Sequence, residues 1–320
     1  MWLSAPPLTT VYRRRENDGE PVNDRRLRAR VDSGVITRIA PGSFVDTRLW
    51  KHLTPLARHA QRVWESAVRS RSELVFSHRS AAALHGIDIL GTWPAGMDVS
   101  IAAAAGGHSS GTIRRHTRDL GEVCTSGWQG HRVTLPLQTA VDLTASLPFV
   151  EAVAVADQAL WRRRAGGALV VRDELLAAAH SRTGRGSARA TRAADFASPL
   201  ADSVRESQSR VMISTMGFPD PEQQARFVLL NGREAFTDFF WRDHGHIGEF
   251  DGAGKYRDPA LLQGRSAEEV LLAEKDREDE LRRQVRAFSR WRLPALRSPR
   301  LLYDILHGAG LPTTKRRPGR

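Results

Sequence analysis

The strongest constraint on the fold lies in residues 234–252, where the runs "EAFTDFFW" and "HIGEF" are separated by the turn-like "RDHG". In an extended chain every second side chain shares a face, so Phe236, Asp238 and Phe240 line up, as do Ile247, Glu249 and Asp251. Antiparallel neighbours joined by so short a turn bring Asp238 beside Glu249. A carboxylate buried without a partner costs several kcal/mol, and acids crowded together raise each other's pKa. A divalent cation removes that penalty. An oxygen-only set of Asp238, Glu249 and Asp251 favours Mg2+ or Mn2+ over Zn2+. Lys255, one of the chain's few lysines, follows directly and can orient water or meet developing negative charge. The plain alternatives stay open: Asp238 paired with an arginine, Asp251-Gly252 as a turn, and Lys255 as a solvated loop residue.

The elements around this hairpin follow a definite order. "SPLADSVRESQSRVMISTMGF" reads as a helix with Val204, Val211 and Met212 on or near its apolar side. Three strand-like runs follow, separated by "NGRE" and "RDHG". "AEEVLLAEKDREDELRRQVRA" is a second helix, and "FSRWRLPAL" a last strand or extended segment. Glu206 on the first helix is a further acid candidate; on a solvated face it pairs instead with Arg210 at i, i+4. Gln223 and Gln224 open the first strand, where a Gln can orient water or a phosphate. His244 and His246 flank the turn without a third ligand at recognisable spacing, which leaves them as turn-surface residues. No P-loop, dinucleotide fingerprint or Gly-x-Ser-x-Gly elbow is present in the sequence.

At the other end, Leu27 and Val31 recur at i, i+4 behind a candidate N-cap at Asn23 or Asp24, and Gly34 closes the helix. "VITRIAPGSFVD" reads as two short strands around a Pro-Gly turn. A basic helix followed by a hairpin is the second half of a winged helix-turn-helix, with Arg25, Arg26, Arg28, Arg30 and Arg38 placed to face phosphates. The alternative is a solvated basic helix. Residues 47–75 read as helix on the stripe Leu49, Leu53, Leu56, Ala60 and Val63. "SHRSAAALHG" carries a Ser cap and a Gly stop. "MDVSIAAAA", "IRRHTRDL" and "HRVTLPL" read as strands, and the stretch from "LQTAVDL" to "VADQAL" as two helices broken at Pro148. The expected division is a winged-helix-like segment at 1–46, an α+β domain at 47–180, a glycine-rich linker at 181–198, a third domain at 199–308 and a basic tail at 309–320.

Charge bears on the partner. The 320 residues carry 48 Lys and Arg against 36 Asp and Glu, a net +12, which points to a polyanion, with DNA the first candidate. Arg277, Arg282, Arg283 and Arg286 on the late helix can contact phosphates, although interleaved acids also fit a salt-bridged surface helix. One cysteine, Cys124, excludes an internal disulfide or a Cys-based metal site and fits a reducing interior. No apolar run reaches the roughly 20 residues of a membrane span. A cytoplasmic protein without membrane contact is expected.

Two resemblances join these readings. Residues 199–300 resemble the very-short-patch-repair-like endonucleases of the PD-(D/E)XK superfamily, through "ESQSR", "PEQQ", "TDFFW", "GEFDGAGKY" and "DREDELRRQ" with "SRW", in that order. The resemblance implies an αβββαβ core, with Asp238 and Glu249 as first and second metal carboxylates. It also sets Asp251 where the superfamily has its Lys, with Lys255 substituting from the next turn. Residues 22–160 resemble the abortive-infection type IV antitoxin (AbiEi) family through "GVITRIAPGSFVD", "SHRSAAALHGI" and "VTLPLQTAVDLTASLP" with "VADQAL". That implies a winged helix, an operon-regulating role and a cognate toxin. The expectation is an α/β protein with a Mg2+-dependent DNA endonuclease-like domain. The alternative is a non-catalytic antitoxin or transcriptional regulator that retains a nuclease fold.

Overall fold

The computed structural model describes residues 5–13, 24–102, 112–252 and 266–319. The protein is mixed α/β, with three sheets among the described residues, and divides into two compact units. The first comprises Met1–Leu160 and Arg164–Ala197; the second comprises Trp161–Arg163 and Ser198–Arg320. Among the described residues no helix is long and apolar enough to cross a membrane.

In the first unit, β1 (Tyr12–Arg13), α1 (Asp24–Asp32), β2 (Ile36–Ala40) and β3 (Ser43–Asp46) form a small sheet of order β1-β3-β2 beside a basic helix. Gly34, at φ 71°, takes the left-handed conformation that ends α1, as its place in the sequence predicts. The candidate N-cap Asn23 lies outside the described residues. Ile39, Val45 and Trp50 form the local core. The single helix expected across 47–75 is two, α2 (Thr47–His52) and α3 (Pro55–Arg69). Pro55 lacks the N–H a continuous helix needs, and Thr54 caps α3 by accepting from the Ala57 N–H at 3.1 Å.

A five-stranded mixed sheet follows, of order β6-β5-β4-β8-β7. Its strands are β4 (Val75–Phe76), β5 (Met97–Ala102), β6 (Ile113–Arg118), β7 (Thr125–Trp128) and β8 (His131–Thr134). The alanine-rich α4 (His78–His85) ends at Gly86, φ 73°. Then come α5 (Pro136–Ser146) and α6 (Phe149–Leu160), parted at Pro148 as expected, α7 (Arg172–Ser181) and α8 (Ser187–Phe196). The segment 181–198 is therefore not a linker. Ala190, Ala193 and Ala194 of α8 are buried, because small side chains let helices approach closely despite the flanking glycines.

The second unit runs α9 (Val204–Thr215), β9 (Glu222–Val228), β10 (Glu234–Trp241), β11 (His246–Phe250), α10 (Ala267–Gln284), β12 (Ala287–Trp291), α11 (Leu293–Arg297) and α12 (Pro299–Gly308). The order helix, three strands, helix, strand is the one periodicity predicts. The sheet order is β12-β11-β10-β9, antiparallel except for the parallel pair β11–β12. On one side α9, α11 and α12 bury Ile213, Phe239, Trp241, Trp291 and Leu302. On the other, Leu281 of α10 meets Ala225, Phe240 and Ile247. Gly248 is required where it stands. A Cβ there would lie 2.8 Å from the Trp291 ring and 2.9 Å from that of Trp241, so the two indoles close directly over the backbone next to Glu249. The basic tail is docked rather than free. Leu311 is buried, Thr314 N–H donates to Gly217 O at 3.0 Å, and Arg317 pairs with Asp304.

Candidate active site

The site grows from the end of the β10–β11 ladder. Phe239 pairs with Gly248, and one residue further along the two strands stand Asp238 and Glu249. There Asp238 Oδ2 accepts from the Phe250 N–H at 2.8 Å. The side chain thus takes up a ladder donor.

Glu206 approaches from α9. It is not the solvated residue of an i, i+4 pair but 6% exposed. Ser203 is the helix N-cap, accepting from the Glu206 N–H at 3.2 Å. The Glu206 carboxylate turns back to accept from Ser203 Oγ at 2.9 Å and from the Asp202 N–H at 2.8 Å. "SVRE" has the Ser-x-x-Glu spacing of a capping box, a sequence signal that would have located this geometry. Burial first, and then the charge of Asp238, push the Glu206 carboxyl up to about 8.

Gln224 completes this side. Its φ of 53° is unusual for a non-glycine residue in a strand, and conformations of that kind cost on the order of 1–3 kcal/mol. Its side chain donates to Glu206 Oε2 at 3.4 Å and accepts from Arg163 Nη1 at 2.8 Å. Arg163 also pairs with Asp202 at 2.8 Å and lies 4.8 Å from the Phe236 ring centroid. The sequence offered no periodic signal for Arg163, which lies far upstream.

Glu249 stands differently. Its Oε1 accepts from Arg277 at 2.7 Å and its Oε2 from Arg290 at 2.8 Å. Arg277, expected on a phosphate-facing surface, points inward and also donates to Phe236 O at 3.1 Å. Arg290 escaped the sequence reading, although it is the β12 partner of Glu249 in the parallel register. Asp251 pairs with Arg292 at 2.7 Å. Lys255 lies outside the described residues. Arg282 pairs with Glu278, while Arg283 and Arg286 are exposed. His246 is not a turn-surface residue: it is buried and shares a hydrogen bond of 2.9 Å with Ser289, whereas His244 is only half-buried. On the first unit, Arg25, Arg26, Arg28, Arg30 and Arg38 are all exposed, with Arg30 over the Tyr12 ring at 5.0 Å. Cys124 is a free, exposed thiol.

Among the described residues no three His, Cys, Asp or Glu side chains gather as a metal cage. Asp238, Glu249 and Asp251 therefore do not form one centre, because the arginines take Glu249 and Asp251. The chemistry of the remaining pair still fits a hard cation. Mg2+ keeps several waters and is held by one or two carboxylates together with substrate phosphates. Glu206 and Asp238 are two such oxygen donors, close enough for one charge to resist the other, and a cation would relieve that repulsion. No protein-family model matches this sequence, and no curated protein matches it at a significant level.

Proposed function

We propose that the second unit is a Mg2+- or Mn2+-dependent DNA endonuclease domain hydrolysing phosphodiester bonds, carried by a chain whose first unit binds DNA. One observation carries the reading: two acids from separate elements, Glu206 of α9 and Asp238 of β10, converge where the β10–β11 ladder ends. Glu249 and Asp251, by contrast, pair directly with arginines. The strained Gln224 turned onto Glu206 supports the same reading, since such backbone outliers cluster at functional sites.

In this proposal Asp238 and Glu206 hold the ion. The ion, when bound, would polarise a phosphoryl oxygen and lower the pKa of a water molecule. Gln224 orients Glu206, and Arg163, fixed by Gln224 and Asp202 and partly exposed, meets a phosphate. Arg277 and Arg290 hold Glu249 rigid on the neighbouring strand. Lys255 is the group proposed to meet the charge developing in the transition state. The resemblance of residues 199–300 to very-short-patch-repair-like endonucleases, and the αβββαβ order, support a nuclease reading and the role of Asp238, whereas the resemblance implies Glu249 rather than Glu206 as the second carboxylate. In the first unit, α1 followed by the β2–β3 hairpin, with its exposed arginines, supports a winged-helix-like DNA contact.

A second reading has its own observation. Both oxygens of Glu249 are taken by arginines and Asp251 by Arg292, which suits a non-catalytic antitoxin or regulator that keeps the nuclease fold as a DNA-binding surface. A plasmid-nicking assay separates the two. Nicking in Mg2+ or Mn2+ that stops in EDTA is expected. Salt-sensitive DNA binding with no nicking in either cation would select the regulator.

A further inference from the structure

The first unit holds a cavity of about 510 Å³ with an excess of positive charge. Arg115 and Arg118 of β6 line one wall, and Arg182, Arg185 and Arg189, from the end of α7 to α8, line another. Five arginines thus face a single lining carboxylate, Asp142 of α5. Asp142 is fully shared already: Arg118 pairs with one oxygen, and Arg182 lies 3.7 Å from the other. The Arg182 Nε is buried without a hydrogen-bond partner, and the exposed Arg185 and Arg189 make no ion pair among the described residues. Guanidinium groups brought together around one acid repel one another unless an anion joins them.

The wall is built rather than incidental. Gly186, at φ 85°, starts α8 so close to α5 that a Cβ would lie 2.2 Å from Ala145 O. The same contact sets Arg185 and Arg189 opposite β6. His116 of β6 also lines the cavity, and its Nε2 meets Asp98 Oδ1 at 2.7 Å. Asp98 is buried, so the dyad fixes the ring's orientation as carboxylates do for working histidines. His78 stacks on that ring at 3.6 Å and holds a φ of 47°. Burial, then the neighbouring His116, hold His78 down to about 3, so it stays neutral and serves as a platform.

A second cavity, of about 640 Å³, shares Arg118 and Arg182 in its lining. Its other residues differ in kind. Leu135, Leu137 and Val141 supply an apolar surface, with Gln138 and Glu122 as hydrogen-bonding groups. An arginine-lined cavity beside one with apolar walls and a few polar groups, the two sharing Arg118 and Arg182, matches a ligand with a phosphorylated end and a flat heterocyclic end.

We propose that these two adjacent cavities bind a nucleotide, its phosphates among Arg118, Arg182, Arg185 and Arg189 beside His116, its nucleoside against Leu135, Leu137 and Val141. The ligand is either a free nucleoside polyphosphate or the 5′-phosphorylated end of a nucleic-acid strand, since both present the same chemistry. The site is independent of the carboxylates of the second unit.

The test is equilibrium binding to the full chain in EDTA. Probes are ATP, GTP, adenosine, inorganic tripolyphosphate, and a short oligonucleotide with a 5′-phosphate or a 5′-hydroxyl. A nucleoside triphosphate is expected to bind at least about tenfold more tightly than tripolyphosphate or adenosine. The exposed pair Arg185→Ala and Arg189→Ala should weaken it at least about tenfold, and His116→Gln by a smaller factor, with the circular dichroism of each variant unchanged. A 5′-phosphate that strengthens oligonucleotide binding, combined with weak ATP binding, would assign the site to strand ends. Equal binding of both oligonucleotides with no nucleotide binding overturns the proposal and leaves only a general basic surface. Nucleotide binding unaffected by the arginine substitutions overturns it as well.

Discussion

The two units treat charge in opposite ways. In the second, the buried Glu206 lies close enough to Asp238 to be opposed by its charge, so Glu206 keeps its proton to an unusually high pH. In the first, five arginines line a cavity with one aspartate, and two of them, Arg185 and Arg189, make no ion pair among the described residues. Between these extremes stands Glu249, which two arginines match fully. A folded protein leaves charge unmatched at a price in stability, and sites where it does so are where an ion or ligand of opposite sign has the most to contribute. As proposed above, a cation suits one unit and an anion the other, while Glu249 is held between two arginines.

The largest expected effect breaks the acidic side alone. Asp238→Asn is nearly isosteric and can still accept from the Phe250 N–H, but a neutral amide is a poor ligand for a hard cation. Plasmid nicking should fall by at least about a hundredfold. Binding in a gel shift should persist if, as proposed, exposed arginines supply the DNA contact. Equal nicking by wild type and variant would mean that another site or a contaminant does the cutting.

Gly186→Ala strikes the basic side. The new Cβ meets Ala145 O in a backbone conformation that disfavours side chains, so the loss of stability should be about 2–4 kcal/mol. Urea unfolding followed by Trp fluorescence reads it. Nicking at a temperature where the variant stays folded should be unchanged. A fully stable variant would show that the α5–α8 approach is looser than the geometry requires.

The third prediction concerns protons. In metal-free buffer Glu206 titrates near 8 when folded, against 4.5 as the ordinary value. The folded chain therefore keeps a proton that the unfolded chain has lost. The stabilising contribution of this group is complete below about 4.5 and is lost as pH rises through about 8, each unit of the difference being worth about 1.4 kcal/mol. Glu206→Gln should flatten the fall in urea midpoint across that window. Added Mg2+ should stabilise the wild type more at pH 8 than at pH 6, because the ion competes with the proton. A pH profile that the substitution leaves untouched would dissociate Glu206 from the acidic pair.

The smallest effect lies on α1. If Arg25 and Arg26 meet DNA phosphates, replacing both with Ala should reduce the slope of log K against log salt by about 2 units, roughly one per contact. An unchanged slope would move DNA contact to another surface.

Much of the second unit is legible locally. Alternation places Asp238 and Glu249 on neighbouring strands, and the turn residues between them join those strands as an antiparallel pair. The helix, three-strand, helix, strand order follows from periodicity alone, as does the stop of α4 at Gly86. Even the turn of Glu206 toward its own N-cap was available from the Ser-x-x-Glu spacing.

What the sequence by itself determined is which residues share a face and where elements begin and end, because these depend on neighbours two to four positions away. Only the tertiary structure decided which charges meet. Glu249 finds Arg277 and Arg290 at sequence separations of 28 and 41, and Gln224 finds Arg163 at 61. The arginine-lined cavity draws on β6, α5 and the segment from α7 to α8, the last of which reads in sequence as a glycine-rich linker. Periodicity marks a buried face but carries no information about the partner across it. Coulomb interactions depend on separation in space, so whether an acid becomes a structural ion pair or a ligand-binding group is settled only when distant segments close around it.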